Sequence, residues 1–192
     1  MNNLTQKRII WLFTAMISVI VFPKIANAQQ VAIHTDVMQD ALKIPNLGLE
    51  LYIDDAHTVQ FSAFATSGPW TMDMKAGGVQ ATYRYWLSGR ALTREFIGLN
   101  SLFTTYRYTN KSNRIRKGDA VGLGFAFGYA WPLTKRMSLT AHSSLGVAYY
   151  RQKEHYSYDD ITSLWEHDQF PNSKGLCLVP LNFGVTISYI IK

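Results

Sequence analysis

The sequence contains a single cysteine, Cys177, among its 192 residues. No intrachain disulfide can form and no thiolate metal cluster can be assembled, so the fold must rest on hydrogen bonds and packing. Charge is also scarce: Asp, Glu, Lys and Arg make up 17% of the chain, while aromatic residues reach 14%. That balance suits a surface that partly faces lipid rather than water. Beyond an N-terminal apolar run, no stretch is long and apolar enough for a transmembrane helix, so any membrane crossing must be made by strands. Acidic residues are missing before Asp36, so Lys7, Arg8 and Lys24 supply three of the six formal net positive charges. The remainder is only mildly basic, which gives no support to nucleic-acid binding.

Residues 1–28 read as a secretory signal peptide. Lys7 and Arg8 form a basic start, Ile9 to Phe22 is mostly apolar, and Ala26, Asn27 and Ala28 give a small-x-small cleavage site. An uncleaved anchor is the alternative, but the run is shorter than the roughly 20 residues that span hydrocarbon, and Pro23 follows it. Lipid attachment would need a cysteine after the cut, where Gln29 stands. Residues 29–192 are then enough for one exported domain, and export is a further argument against a nucleic-acid partner.

Alternation with period two runs through that domain, the spacing that puts successive side chains on opposite faces of a sheet. Val121, Leu123, Phe125, Phe127, Tyr129 and Trp131 alternate with Gly122, Gly124, Ala126, Gly128 and Ala130. From Cys177 to Ile191 the odd positions are Cys177, Val179, Leu181, Phe183, Val185, Ile187, Tyr189 and Ile191, which predicts an apolar outward face including Cys177. Leu47 to Ile53 and Val79 to Leu87 repeat the pattern. Val31 to Thr35, Val59 to Ala65 and Met137 to Arg151 follow it less strictly, and Phe96 to Arg107 is β-rich without a clear parity.

These segments predict an all-β fold: an eight-stranded antiparallel transmembrane β-barrel with short periplasmic turns and longer extracellular loops. Short links at 54–57, 88–94 and 132–136 alternate with long ones at 38–45, 67–77, 108–118 and 159–174. Both termini then fall on the periplasmic side of a bacterial outer membrane. A soluble sandwich or lipocalin-type barrel would direct the apolar parity inward. Its other face would be rich in Lys, Glu and Asp rather than the Gly, Ala, Ser and Thr present here.

The segments Val31 to Asp36, Pro45 to Leu51, Tyr83 to Leu87, Phe96 to Leu99 and Gly184 to Lys192 together resemble an uncharacterised family of outer-membrane barrel proteins from Bacteroidota. That family is known as a domain of unknown function, and its members are often encoded beside fimbrial genes. The resemblance covers nearly the whole of residues 29–192. It implies a barrel fold, an outer-membrane location and a link to fimbriae, without supplying a mechanism or catalytic residues; no cofactor is expected, and other surface proteins are candidate partners. The chain departs from the general outer-membrane pattern in ending on Lys192 rather than on an aromatic residue, with Tyr189 three positions inward.

Glu50, Arg84, His34, Asp36 and His142 fall on the inward parity. In a narrow barrel such groups need partners, and a Glu50 to Arg84 ion pair is the natural one. It reads either as a plug that keeps the barrel shut or as a gate or proton path. His142, Ser143 and Ser144 invite comparison with outer-membrane lipid A deacylases, in which a His activates a Ser on a strand. Here His142 and Ser144 face inward, and the sequence places no orienting carboxylate. The segment holding Glu154, His155, Asp159, Asp160, Glu166, His167 and Asp168 has no regular metal-ligand spacing. Its Tyr156, Tyr158 and Trp165 make it a candidate contact surface. A basic loop of Arg107, Lys111, Arg114, Arg116 and Lys117 would either sit near lipopolysaccharide phosphates or simply keep the loop soluble. Arg90 and Arg94, with Trp131 and Tyr189, suit the membrane boundary.

Overall fold

The computed structural model describes residues 30–68, 74–109, 114–156 and 173–191. The signal-peptide segment therefore lies outside the described residues, as do Lys111 and residues 157–172. The strands are β1 (Val31–Asp36), β2 (Asn46–Tyr52), β3 (His57–Ser67), β4 (Met74–Trp86), β5 (Arg94–Thr109), β6 (Arg114–Pro132), β7 (Met137–Tyr156) and β8 (Ser173–Ile190), with a short helix α1 (Val37–Ala41) after β1. Each strand pairs with its sequence neighbours, and β8 returns to β1, closing the barrel. Closure leaves no unpaired sheet edge.

Alternation dictates the two faces, and the result is a barrel with its polarity reversed relative to a soluble one. Phe125 is 73% exposed and Leu178 80%, whereas Glu50, Thr58, Thr140 and Ser188 are fully buried. Among the described residues, fourteen buried side chains are polar or charged and eight are hydrophobic, four of those eight being alanine. The apolar material is therefore on the outer wall. Phe96 to Arg107, ambiguous in sequence, resolves with Ile97, Leu99 and Phe103 outward and Phe96 and Asn100 inward.

Two expectations are corrected. The first concerns β8, where the ladder with β7 slips between Ser144 and Leu145: Ser144 faces Asn182, Leu145 faces Pro180, and Leu181 is the extra residue. This β-bulge puts Leu181 and Asn182 both inside and changes parity above it. Leu176 and Leu178 face out, while Cys177, expected on the lipid side, points inward with its Sγ 3.5 Å from the Ala148 carbonyl. Val179 and Leu181 move inward with it. The second concerns the supposed long loops. Arg107 pairs with Lys117 and Thr109 with Ile115, so the ladder continues through most of 108–118. The 67–77 link likewise shortens to residues 68–73. Apolar alternation stops where the apolar belt stops, but backbone hydrogen bonding does not.

The wall is consequently lopsided. β1 and β2 have 6 and 7 residues, β6 and β7 have 19 and 20. Beyond β1, α1 packs against β8, with Asp36 capping it by accepting the Gln39 amide at 2.9 Å. At the opposite end the β4–β5 turn tucks Leu92 into the barrel base against Trp86, Phe96, Ala32 and Ala130. Leu92 holds a left-handed φ of 55°, a strained conformation that its burial offsets.

Candidate functional site

The chemistry-bearing side chains lie in the lumen, stacked between the Leu92 plug and α1. Lowest is an ion pair: Arg84 Nη1 donates to Glu50 Oε2 at 3.2 Å. Thr58 Oγ1 donates to the other Glu50 oxygen at 2.6 Å, and Trp86 Nε1 donates to Thr58 Oγ1 at 3.0 Å. The Arg84 guanidinium also lies 4.7 Å from the centre of the Phe96 ring, a cation–π contact that helps hold a buried cation. Arg84 and Glu50 are 2% and 0% exposed, so neither charge is shared with bulk water.

Above this pair, long side chains cross the lumen over glycine floors. His34 on β1 passes over Gly48 on β2 to Gln60 on β3, whose Nε2 lies 2.9 Å from a ring nitrogen of His34. Asp36 passes over Gly184 on β8 to His142 on β7, with 2.9 Å between Asp36 Oδ2 and His142 Nε2. A Cβ at Gly48 would collide with the His34 ring, and one at Gly184 with the Asp36 carboxylate. The small inward residues are thus the room that a neighbour's polar side chain occupies. Thr186 Oγ1 is 2.8 Å from the same His142 nitrogen. Asn182, brought inside by the bulge, accepts from Gln39 at 3.0 Å and donates to Gln80 at 2.9 Å, tying α1 to the far wall.

The five inward residues read from the sequence divide into three groups: Glu50 with Arg84, His34 with Gln60, and Asp36 with His142. Thr58, Gln60, Asn182 and Thr186 complete them and were not singled out from the sequence. Their parity was legible, but the height at which each meets a partner is set by strand stagger. Ser144 Oγ donates to the Asn182 carbonyl at 3.3 Å, and no hydrogen bond joins it to His142 among the described residues. Asp36 does supply His142 with a carboxylate. Both His142 and Ser144 face the lumen, away from the apolar wall.

An internal cavity of about 10 Å³ lies beside Arg84, lined by Thr82, Phe96, Asn100, His142 and Ser144 among others. It is about one water-sized sphere. Arg84 Nε and Asn100 Oδ1 are buried here without a protein partner. Among the described residues, no three His, Cys, Asp or Glu side chains are grouped to hold a metal ion.

Of the expected basic loop, Arg107 and Lys117 sit on strands and point outward, and Arg116 lies on the inward parity of β6. Lys111 and the Arg114 side chain lie outside the described residues, as do Asp159 to Asp168 and the side chains of Glu154, His155 and Tyr156.

The sequence matches a protein-family model described as "Protein of unknown function (DUF3575)" over residues 12–191. The chain belongs to this family. Membership accounts for almost the entire length and carries no assigned activity. No curated protein matches the sequence. Among solved structures, the crystal structure of a major outer membrane protein from Thermus thermophilus is similar at a TM-score of 0.40 and 10% identity, covering 86% of this chain and 100% of that one.

Proposed function

We propose that this DUF3575 member is a closed, non-enzymatic β-barrel of the bacterial outer membrane, exported by its signal peptide, that serves the envelope as a structural or surface-contact element. One observation carries the reading: the wall is apolar outside while the lumen is filled by charged and polar side chains, among them the Glu50–Arg84, His34–Gln60 and Asp36–His142 pairs. From Val121 to Trp131 the outward belt of β6 covers ten residue steps, which at about 3.4 Å each and a tilt of about 40° rise about 26 Å. That height fits the outward apolar band of a membrane barrel, about 25 Å. The Leu92 plug and the Glu50–Arg84 pair fill the lumen at two levels, which supports a barrel that does not conduct. The resemblance to Bacteroidota barrels encoded beside fimbrial genes makes fimbriae or other surface proteins the natural partners, met by the long-loop end.

The test has two parts. Refolded protein in lipid vesicles should show heat-modifiable gel migration, and in planar bilayers it should give no regular conductance steps. Steady single-channel currents would overturn the closed-barrel reading. A deletion strain should lose envelope resistance or surface adhesion, with restoration by the full chain and not by a chain trimmed in its long loops.

A second reading, an outer-membrane enzyme modifying lipid A through His142 and Ser144, gains support from the Asp36 carboxylate beside His142. It requires the pair to reach lipid from inside the lumen. Mass spectrometry of lipid A should show no difference between strains carrying the wild type and Ser144→Ala; an altered acyl pattern would favour the enzyme.

A further inference from the structure

The register places cations in rows on the outer wall at the long-loop end. Lys75 pairs with Arg107, Arg107 with Lys117, and Lys117 with Lys153, a continuous row across β4, β5, β6 and β7. Two residues nearer the belt, Thr105 pairs with Asp119, Asp119 with Arg151, and Arg151 with Lys174 on β8. All these charged residues lie on the outward parity, and all but the half-buried Lys153 are exposed. The two rows hold six cations and one anion, Asp119. The next row down is apolar: Val79, Phe103, Val121, Tyr149 and Leu176. The short-turn end has no such excess, since Arg90, Arg94, Lys135 and Arg136 are interspersed with Asp54, Asp55 and Glu95.

We propose that this patch binds the phosphate groups of an anionic glycolipid in the leaflet around the long-loop end. The inference rests on the membrane-barrel reading and adds the lipid class and the residues that hold it. Height supports it: Arg151 and Lys117 stand two and four residue steps above the apolar row, about 5 and 10 Å along the barrel axis. Headgroups begin where hydrocarbon ends and occupy roughly 5–8 Å on each side of a bilayer, so the rows bracket the phosphate level. Width supports it as well. Lys75 to Lys153 spans three strand spacings of about 4.8 Å, or about 14 Å, enough to engage more than one phosphate on one lipid. Arg107 and Arg151 offer planar forks suited to phosphate oxygens, and the lysines add point charges. A ligand at this place is pressed against the wall just above apolar side chains, which favours a phosphate carried on acyl chains over a free anion. The sequence expected such contacts from a basic loop, whereas the ladder fixes them on strands and recruits Lys75, Arg151, Lys153 and Lys174.

The experiment uses the refolded full-length barrel in neutral detergent micelles, titrated with diphosphoryl lipid A, with phosphatidylcholine or with inorganic phosphate, and bound lipid is counted by native mass spectrometry. Arg107→Gln with Lys117→Gln should weaken lipid A binding about thirtyfold, as loss of two interfacial cations predicts. Lys75→Gln with Lys153→Gln should act in the same direction, and Lys135→Gln with Arg136→Gln at the other end should change binding by less than about twofold. Equal binding by both long-loop-end pairs and the control pair would overturn the proposal, and so would inorganic phosphate displacing lipid A at matched concentration. Heat-modifiable migration in phosphatidylcholine vesicles separates the two levels of failure. A chain that does not insert refutes the membrane barrel itself, whereas one that inserts without preferring lipid A refutes only this site.

Discussion

Removing the Glu50 carboxylate should be among the most damaging single changes to the barrel. The Arg84 guanidinium would remain buried, with the Phe96 ring and no counter-charge. At the observed 3.2 Å separation, a charge pair in a medium of effective dielectric about 20 interacts by about 5 kcal/mol before desolvation is subtracted. Breaking a buried pair from one side costs about 3–5 kcal/mol, because the abandoned charge keeps its desolvation penalty. Glu50→Ala also takes the acceptor from Thr58 and so loosens the Trp86 indole that donates to it. We therefore expect a loss of about 3–5 kcal/mol in urea unfolding of vesicle-inserted protein. Glu50→Gln and Arg84→Met should each cost a comparable amount, while the two together should lie within about 1 kcal/mol of wild type, since both charges leave together. The double-mutant cycle should give a coupling of at least about 2 kcal/mol. Singles that each cost under about 1 kcal/mol, or a double equal to their sum, would refute the argument that this pair is a mutually dependent plug.

Three further outcomes are expected. Gly184→Ala places a methyl where the Asp36 carboxylate lies, and forcing them apart should cost about 1–3 kcal/mol, read as a lower urea midpoint; an unchanged midpoint would show that Asp36 does not need this crossing. Phe125→Arg puts a cation near the middle of the outward belt and should cost about 2–4 kcal/mol in vesicles, whereas a cost-free substitution would argue against lipid contact. In the β2–β3 turn, Asp54 accepts from the His57 ring at 2.8 Å and from the amides of Ala56 and His57, and these bonds, the ring's first, hold its carboxyl below the usual carboxylate range. Its stabilising contribution is therefore present above the unfolded-state carboxylate pKa and is lost as pH falls through the folded value. Asp54→Asn should flatten the acid limb of the stability profile below about pH 4, and an identical limb would refute the linkage.

The outward belt was legible because an apolar wall and a filled lumen impose opposite demands on alternate residues: Leu123 and Phe125 must be large and apolar, Gly124 and Ala126 must be small. Parity was lost where that pressure relaxes or the backbone departs from period two. Leu181 is apolar and sits in an apolar series, so nothing in its identity marks the bulge that turns Cys177 inward. The extension of β5 and β6 past Arg107 and Arg116 was hidden for the opposite reason: the side chains there no longer alternate large apolar with small, while the ladder continues unchanged. Partners inside the lumen were half visible. Alternation showed that Asp36 and His142 share the interior, but they are separated by more than one hundred residues and meet only because β8 lies between β1 and β7 with Gly184 at the crossing.

The layering along the barrel axis follows from one constraint. A wall that is apolar outside leaves the lumen as the place where charge can be buried, and a narrow lumen can accept charge only if every long side chain finds both a partner and a floor to cross. Gly48 and Gly184 supply the floors for His34 and Asp36, and Gly128 does the same for the Phe96 ring that backs Arg84. Each floor costs the wall an inward side chain, so the interior stays filled only while the crossing residue remains in place. Removing a polar member should therefore create a void as well as an unpaired group. Above the belt the wall no longer has to be apolar outside, and there the cations appear on the outer face.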